Sequence, residues 1–447
     1  MTLARVITPP KRPSSAPNLT TPEVISQRID EELRREAALL KEAKRKEVKV
    51  LLLGQAESGK STLQKHFQLL YAEGTLDSER PYWRPAVYYN IIKAARMILA
   101  ELDYEFAARS PGDMHTSDDV VHQLMDVRTA LLPLISMEDA LASEINGGVA
   151  ISGGRSGAYV RPGWQNFLSH NQASIALPET AMMAAKMLAR VANEIRTLWE
   201  HPTVQYYIEQ RKIRVEESAA FFISHIGRIT QPDYLPTTDD ILRVRLRTLG
   251  VIEHNFSVPM GGVLYNWRLF DVGGARGQRQ AWVPFFDDAI SIIFLGGFAS
   301  SPLSSPHLTP SQAPISAFDQ YLEEDPKVNR IDDSLQLFTS ICKNKIFKDV
   351  HLVLMLNKTD ILKQKLAANV KIRKYITSYG DRANNYETAS AYFRQHFVHA
   401  HKKNSAETNR QLYLHFTSMM DTKAIQSIIA AVGEAILQKH ITKVGLI

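Results

Sequence analysis

Apolar positions change their period along the chain, and each change marks an element. Ile25, Ile29, Leu33, Ala37 and Leu40 recur at helical spacing among many charges. Thr21-Pro22 reads as the start of that helix, with Pro at the first helical position. So narrow a stripe cannot bury itself. The helix is expected to lie along a partner, the plainer alternative being a solvated helix that caps its own domain. Val50–Leu53 is an apolar run of strand length, and Thr62 to Leu70 then reads as a helix. From about 71 to 235 the period stays helical. Tyr88–Leu102 and Thr180–Trp199 are long amphipathic runs, and the methionines of the second are expected to fill core space. A glycine-rich loop from Asn146 to Gly157 reads as a linker.

From about 240 the pattern becomes α/β. Strand candidates are Val263–Asp271, Ile290–Leu295, Val350–Leu356 and Leu412–Phe416. Helical segments separate the last three, which predicts a parallel sheet with helices on both faces. A helix from about Thr422 closes the chain, burying Ile425, Ile428, Ile429, Val432 and Ile436. Two stretches carry no such pattern. Residues 1–21 hold Pro9, Pro10, Pro13 and Pro17 and read as a disordered tail. Residues 299–316 hold Pro302, Pro306, Pro310 and Pro314 and read as an inserted loop.

Composition narrows the setting. At 447 residues the chain can hold two or three domains. The formal charge of +6 hints at an acidic partner or membrane surface, although solvated surplus Lys and Arg explain it as well. The single cysteine, Cys342, stands in apolar surroundings and reads as a buried thiol in a reducing compartment. No apolar run approaches a membrane span, and no signal peptide pattern is visible. Thr2 stands where myristoylation needs glycine, and no cysteine lies near the start for palmitoylation. A cytoplasmic protein is expected, reaching the cytoplasmic face of the plasma membrane through partners or basic residues such as Lys44, Arg45 and Lys46.

The chemistry begins at Gly54-x-x-x-x-Gly59-Lys60-Ser61, set between the first strand and the helix after it. Turned backbone N–H groups and a helix N-terminus there present partial positive charge to a polyphosphate. Lys60 would reach the terminal phosphates and Ser61 would put its hydroxyl on Mg2+. Asn357-Lys358-Thr359-Asp360 follows an apolar strand, where ligands bind in such sheets. Asp360 can accept both guanine N1–H and N2–H2, a pair adenine does not offer. Asp271-Val-Gly-Gly274 ends another strand. Its carboxylate can hold Mg2+ through water, and Gly274 lets backbone approach a γ-phosphate. Singly each of the last two could be an ordinary turn; in this order the three point to a guanine nucleotide.

Gly54–Thr62, Asp240–Thr248, Asp271–Arg276, Asn357–Asp360 and His415–Thr422 together resemble the alpha subunits of heterotrimeric G proteins. The terminal Val444-Gly-Leu-Ile447 resembles that family's receptor-reading tail. The resemblance runs from about residue 23 to the end, apart from the two insertions. It implies an α/β fold: a Ras-like P-loop GTPase domain with an inserted all-helical domain. The expected parts are the tail 1–21, a partner-binding helix over 22–47, the GTPase domain over 48–72 and 236–447, the helical domain over 73–235, and the Pro/Ser-rich insertion 299–316.

The resemblance also implies roles. Arg245 matches the arginine finger that this family supplies in cis, with Glu57 beside it. Glu57, Ser58, Gly59, Lys60, Ser61, Thr62, Leu242, Arg243, Thr248, Asp271, Gly274, Asn357, Lys358, Asp360 and Met419 match positions around GTP or GDP. Ser61 and Thr248 would ligate Mg2+ directly and Asp271 through water. Arg279 and Trp282 match the second switch. A beta-gamma dimer would meet the N-terminal helix, a G protein-coupled receptor the C-terminal tail, and effectors and regulators the switches; no nucleic-acid partner is implied.

The departures are as informative. Ala275 stands where the family has the glutamine that orients attacking water, and a methyl group can neither donate nor accept. Gln278 lies three residues on and could substitute only if backbone geometry shifted. Leu249, Gly277, Gln280 and Ala281 also depart from the switch pattern. Ala56 replaces a loop glycine, tolerable only at φ below zero. Met419 replaces an alanine and Asp333 a glutamate that would pair with the second switch. Two readings follow: a slow GTPase switch, or a GTP-holding module whose hydrolysis is nearly lost.

Overall fold

A computed structural model describes residues 22–108, 117–147, 158–161, 164, 178–210, 213, 215, 217–296, 318, 322, 325, 327–405 and 410–444. The expected tail 1–21, the insertion 299–316, nearly all of the glycine-rich loop and the last three residues lie outside the described residues. The chain falls into two units, Met1–Glu47 and Val48–Ile447. Within the first, the helix Pro22–Lys46 begins at the expected proline and leaves Ile25, Ile29, Leu33, Leu39 and Leu40 exposed.

Within the second unit, eight strands are described. They are β1 (Glu47–Gly54), β2 (Tyr159–Val160), β3 (Arg247–Thr248), β4 (Val251–Met260), β5 (Val263–Val272), β6 (Ser291–Gly296), β7 (His351–Leu356) and β8 (Leu412–Phe416). Six make one sheet in the order β4-β5-β1-β6-β7-β8. The pairs β1–β6, β6–β7 and β7–β8 are parallel, with Leu51 opposite Ile292 and Leu354 opposite Leu414. The expected strands are all present. The expectation of a parallel sheet missed β4, which pairs antiparallel with β5 at the sheet's edge.

Side chains alternate across the sheet with the strand period of two. Leu51, Leu53, Ile292, Phe294, Leu352 and Leu354 face the helices Arg330–Lys343 and Tyr386–Asn404 through Phe338, Phe393 and Phe397. Val50, Leu52, Ile293, Leu295, Val353 and Met355 face the helices Lys60–Tyr71 and Thr422–Val444 through Leu63, Phe67, Ile425, Ile429, Val432 and Ile436. Helices therefore cover both faces. Cys342 is buried, as its apolar setting predicts.

A separate buried cluster joins the helices between Arg84 and Ile229, with Tyr88, Ile91, Ile98, Leu131, Leu188, Leu198 and Phe222 at its centre. Two expectations fail here. The run Thr180–Trp199 is two helices, Glu179–Arg190 and Ala192–Glu200. Between them Val191 leaves helical geometry at φ −110° and ψ 21°, and its β-branched side chain packs into the core. Of the methionines only Met187 packs against that core; Met182 and Met183 are exposed, and Ala181, Ala184 and Leu188 form the buried stripe. The fold is a Ras-like α/β domain with a helical domain inserted into it.

Candidate nucleotide site

The phosphate loop runs from the end of β1 into the helix that begins at Lys60. Gly54 and Gly59 take φ of 144° and 105°, and Glu57 takes 60°. A Cβ on Gly54 would collide with the Leu295 carbonyl, and one on Gly59 with the Asn357 amide. Both glycines are therefore required by conformation and by space. Ala56 avoids positive φ, so its methyl group is tolerated and the left-handed turn falls on Glu57.

Lys60 is buried, and its Nζ donates to the carbonyls of Gly54 at 3.0 Å and Gln55 at 2.5 Å. Burial lowers its pKa to about 8, against the pull of Asp271 and Glu57. The ammonium thus sits on the loop's carbonyls, where a polyphosphate would meet it. Ser61 Oγ donates to Asp271 Oδ2 at 2.7 Å and lies 3.0 Å from Thr248 Oγ1. Thr248 Oγ1 donates to the same carboxylate oxygen at 3.2 Å. The other oxygen, Asp271 Oδ1, is buried with no hydrogen-bond partner. Three hard oxygens from three segments, one of them bare, suit Mg2+, which keeps waters and substrate phosphates for its remaining positions. Among the described residues no cluster of three or more His, Cys, Asp or Glu offers a different metal site.

Gly274 follows Asp271 so closely against the loop that a Cβ would collide with the backbone of Gln55 and Ala56. Glu57, Gly59, Lys60, Ser61, Thr62, Arg245, Thr248, Asp271 and Gly274 line one cavity of about 870 Å³. Glu57, expected beside Arg245, lies 3.5 Å from Arg330. Arg245 follows the helix Thr238–Arg243, whose start carries a capping box of Thr237 and Asp240. Leu242 and Arg243 are not brought to the cavity wall. Leu242 is buried in that helix, and Arg243 pairs with Asp239 at 3.1 Å over the ring of Phe221.

The base-reading residues gather at another edge of the loop. Asn357 Nδ2 donates to the Ser58 carbonyl at 2.9 Å, and Asn357 Oδ1 accepts from Thr417 at 3.2 Å. It ties the phosphate loop to the segment after β8. Lys358 takes a left-handed φ of 65°, turning the chain into the helix Thr359–Ala367. Asp360 Oδ1 is buried with no hydrogen-bond partner, the state expected of a carboxylate that receives guanine N–H groups. Met419 is buried, with its side chain toward Gly59 and its carbonyl 2.8 Å from His66 Nε2.

The second switch is anchored by Asp333. Its carboxylate accepts from Arg276 Nε at 2.8 Å and Arg279 Nη2 at 2.6 Å, and from Gln55. Trp282 Nε1 donates to the Gly273 carbonyl at 2.9 Å. Asp333 therefore keeps the switch contact that the shorter side chain put in question. Sequence reasoning missed Asn90, Gln55, His66 and Arg330. Gln55 fills an unspecified position of the phosphate loop, the others belong to no local motif, and each works through a distant partner.

The comparisons with known proteins agree with this geometry. A family profile described as G-protein alpha subunit matches residues 23–436. A guanine nucleotide-binding protein subunit alpha of Coprinellus congregatus is 29% identical over 421 residues, 94% of this chain and 95% of that protein. The G-protein complex alpha subunit gpaA of Aspergillus fumigatus is 31% identical over 423 residues, 94% of this chain and 96% of that protein. The alpha-16 subunit of a guanine nucleotide-binding protein from Caenorhabditis elegans is 29% identical over 403 residues, 89% and 90% of the two chains. Phosphate loop, bare aspartate and guanine-side carboxylate thus stand in a chain that belongs to the G-protein alpha subunit family, whose members are guanine-nucleotide-binding signalling GTPases.

Proposed function

We propose that this alpha subunit is a slow GTP switch: it binds GTP with Mg2+, hydrolyses it slowly, and signals between a membrane receptor and effectors through beta-gamma exchange. The observation that carries this is the gathering of Lys60, Ser61, Arg245, Thr248, Asp271 and Gly274 on one cavity wall with Ala275 beside them. Lys60 and the loop's N–H groups would hold the β- and γ-phosphates. Ser61, Thr248 and Asp271 would hold Mg2+, which supplies charge neutralisation when bound. Asp360 would select guanine, and Arg245 would stabilise charge on the transferring phosphoryl group. Ala275 lines the same wall but has no polar atom to aim a water molecule.

The finer assignments rest on the family. Beta-gamma would dock on the helix Pro22–Lys46, whose apolar side chains Ile25, Ile29 and Leu33 are exposed. The receptor would read the C-terminal tail, and effectors and regulators the switches. GTPase domain, inserted helical domain and partner helix would divide at about residues 47, 72 and 235. No described helix is long and apolar enough to cross a membrane, so membrane contact would come through partners.

Ala275 also favours a second reading, a GTP-holding module that acts by binding partners. Single-turnover GTP hydrolysis separates the two. For the slow switch, wild type turns over measurably, Arg245→Ala abolishes turnover, and Ala275→Gln raises it by about tenfold to a hundredfold. GTP bound without any turnover supports the module. Ala275→Gln leaving the rate unchanged would show that Ala275 is not what limits it.

A further inference from the structure

We propose that Gln278 supplies the water-positioning amide that Ala275 lacks, and that the slow turnover runs through it. This rests on the reading above, that GTP is bound and hydrolysed in this cavity.

The backbone makes the substitution possible. Residues Arg276–Phe285 form a 3-10 helix, with Ala275 at its N-cap and the Gln278 N–H bonded to the Ala275 carbonyl at 3.0 Å. In 3-10 geometry side chains three apart eclipse each other. Gln278 stands in the first turn of that run, three residues past Ala275, and lines the same cavity as Ala275. Arg276 and Arg279, also three apart, both go to Asp333 and hold the neighbouring face. The turn is thus pinned at the cavity wall, which Ala275 and Gln278 line together with the two arginines.

The side chain is already folded inward. A Cβ built on Gly273 would collide with Gln278 Oε1 and lie 2.9 Å from the Thr248 carbonyl oxygen. The Gln278 amide and the Thr248 carbonyl therefore sit over the same bare glycine, beside the Ser61–Thr248–Asp271 oxygens. Gly273 has no side chain to keep them from a small molecule between them. A water there can donate one proton to the Thr248 carbonyl and one to Gln278 Oε1, leaving a lone pair for attack. Gln278 Nε2 can donate to a γ-phosphate oxygen. The water oxygen then bonds to the γ-phosphorus as the bond to the β–γ bridging oxygen breaks. GDP leaves with that electron pair, and the water's proton passes to phosphate. The polar geometry is built from a partly buried side chain on a turn, not from a locked strand end, which accounts for a rate that is low yet above none.

The test is single-turnover hydrolysis by the full chain carrying Gln278→Ala or Gln278→Met, the second keeping volume over Gly273 without the amide. Both should lose about tenfold or more in rate, as for loss of a preorganised polar group, while GTP affinity changes by less than about twofold. Binding of GDP with aluminium fluoride, a planar mimic of the phosphoryl group in flight, should weaken in parallel. A purely structural role for Gln278 would not separate these readouts. Adding Ala275→Gln to Gln278→Ala should restore the rate. An unchanged rate in both single variants, with wild type active, overturns the assignment of Gln278 and leaves the GTPase reading intact. Wild type that binds no guanine nucleotide overturns that reading itself.

Discussion

Asn90 holds Arg245 by both backbone polar groups: its Oδ1 accepts from the Arg245 N–H at 2.8 Å and its Nδ2 donates to the Arg245 carbonyl at 3.1 Å. Asn90 is buried in the helix Arg84–Ala107, so the helical core reaches across and fixes the backbone of the candidate arginine finger. The same Nδ2 also donates to the Ala86 carbonyl at 2.9 Å, which fixes the amide's rotation. Asn90→Ala should therefore slow hydrolysis through a residue that touches no nucleotide. Two buried hydrogen bonds of about 1 kcal/mol each predict a loss of up to about thirtyfold in single-turnover rate, with GTP affinity nearly unchanged. An equal loss in affinity and rate would mean that Asn90 supports the whole cavity and not the arginine.

Gln55 and Asp333 form the second such device. Burial pushes the Asp333 carboxyl up, but hydrogen bonds from Arg279, Gln55 and Arg276 outweigh it and hold the group below the usual carboxylate range. Gln55 also donates to the Arg330 carbonyl at 2.9 Å, so the phosphate loop is stapled to the start of the helix that carries Asp333. The amide of Gln55 adds a partner to a carboxylate one methylene shorter than glutamate. Asp333→Ala leaves Arg276 and Arg279 without their shared acceptor and should cost about 2–4 kcal/mol, read from urea unfolding. Asp333→Glu alone should crowd Gln55, and Asp333→Glu with Gln55→Ala should recover most of the loss. Strictly additive effects in that cycle would deny the coupling.

What could be read in advance follows how local the physics is. The phosphate loop declares itself within nine residues, because Gly54 and Gly59 must adopt backbone shapes that other residues resist. Asp271, Asn357 and Asp360 were legible for a similar reason: each ends a strand or starts a helix at the sheet's edge. Asn90, Gln55 and His66 were not. Each acts on a residue at a separation of 155, 278 or 353 positions, and nothing in its neighbours announces the partner. Strand β4 was hidden because Pro259 interrupts its pattern, which an edge strand tolerates. The inward fold of the Gln278 side chain over Gly273 was not legible either, because it depends on the local turn that follows Ala275.

Lys60 makes nucleotide binding depend on pH in a direction that can be worked out. In the empty loop burial lowers its pKa to about 8, so near pH 8 about half of the molecules carry a neutral amine there. A triphosphate favours the ammonium and raises that pKa, so the bound state holds more protons over the interval between the two values. Affinity for GTP should then fall as pH rises through about 8. Calorimetry at pH 8 in two buffers of different protonation enthalpy should register uptake on the order of half a proton per GTP. The unfolded chain has the ordinary lysine value of 10.5 and binds more protons than the empty native protein between about 8 and that value. The nucleotide-free protein should accordingly gain stability as pH rises through that window, and saturating GTP should reduce the gain. Lys60→Arg keeps its charge at every relevant pH and should abolish both effects. No proton uptake at pH 8 would mean that the empty loop holds Lys60 fully charged, with the two carbonyls of Gly54 and Gln55 offsetting its burial.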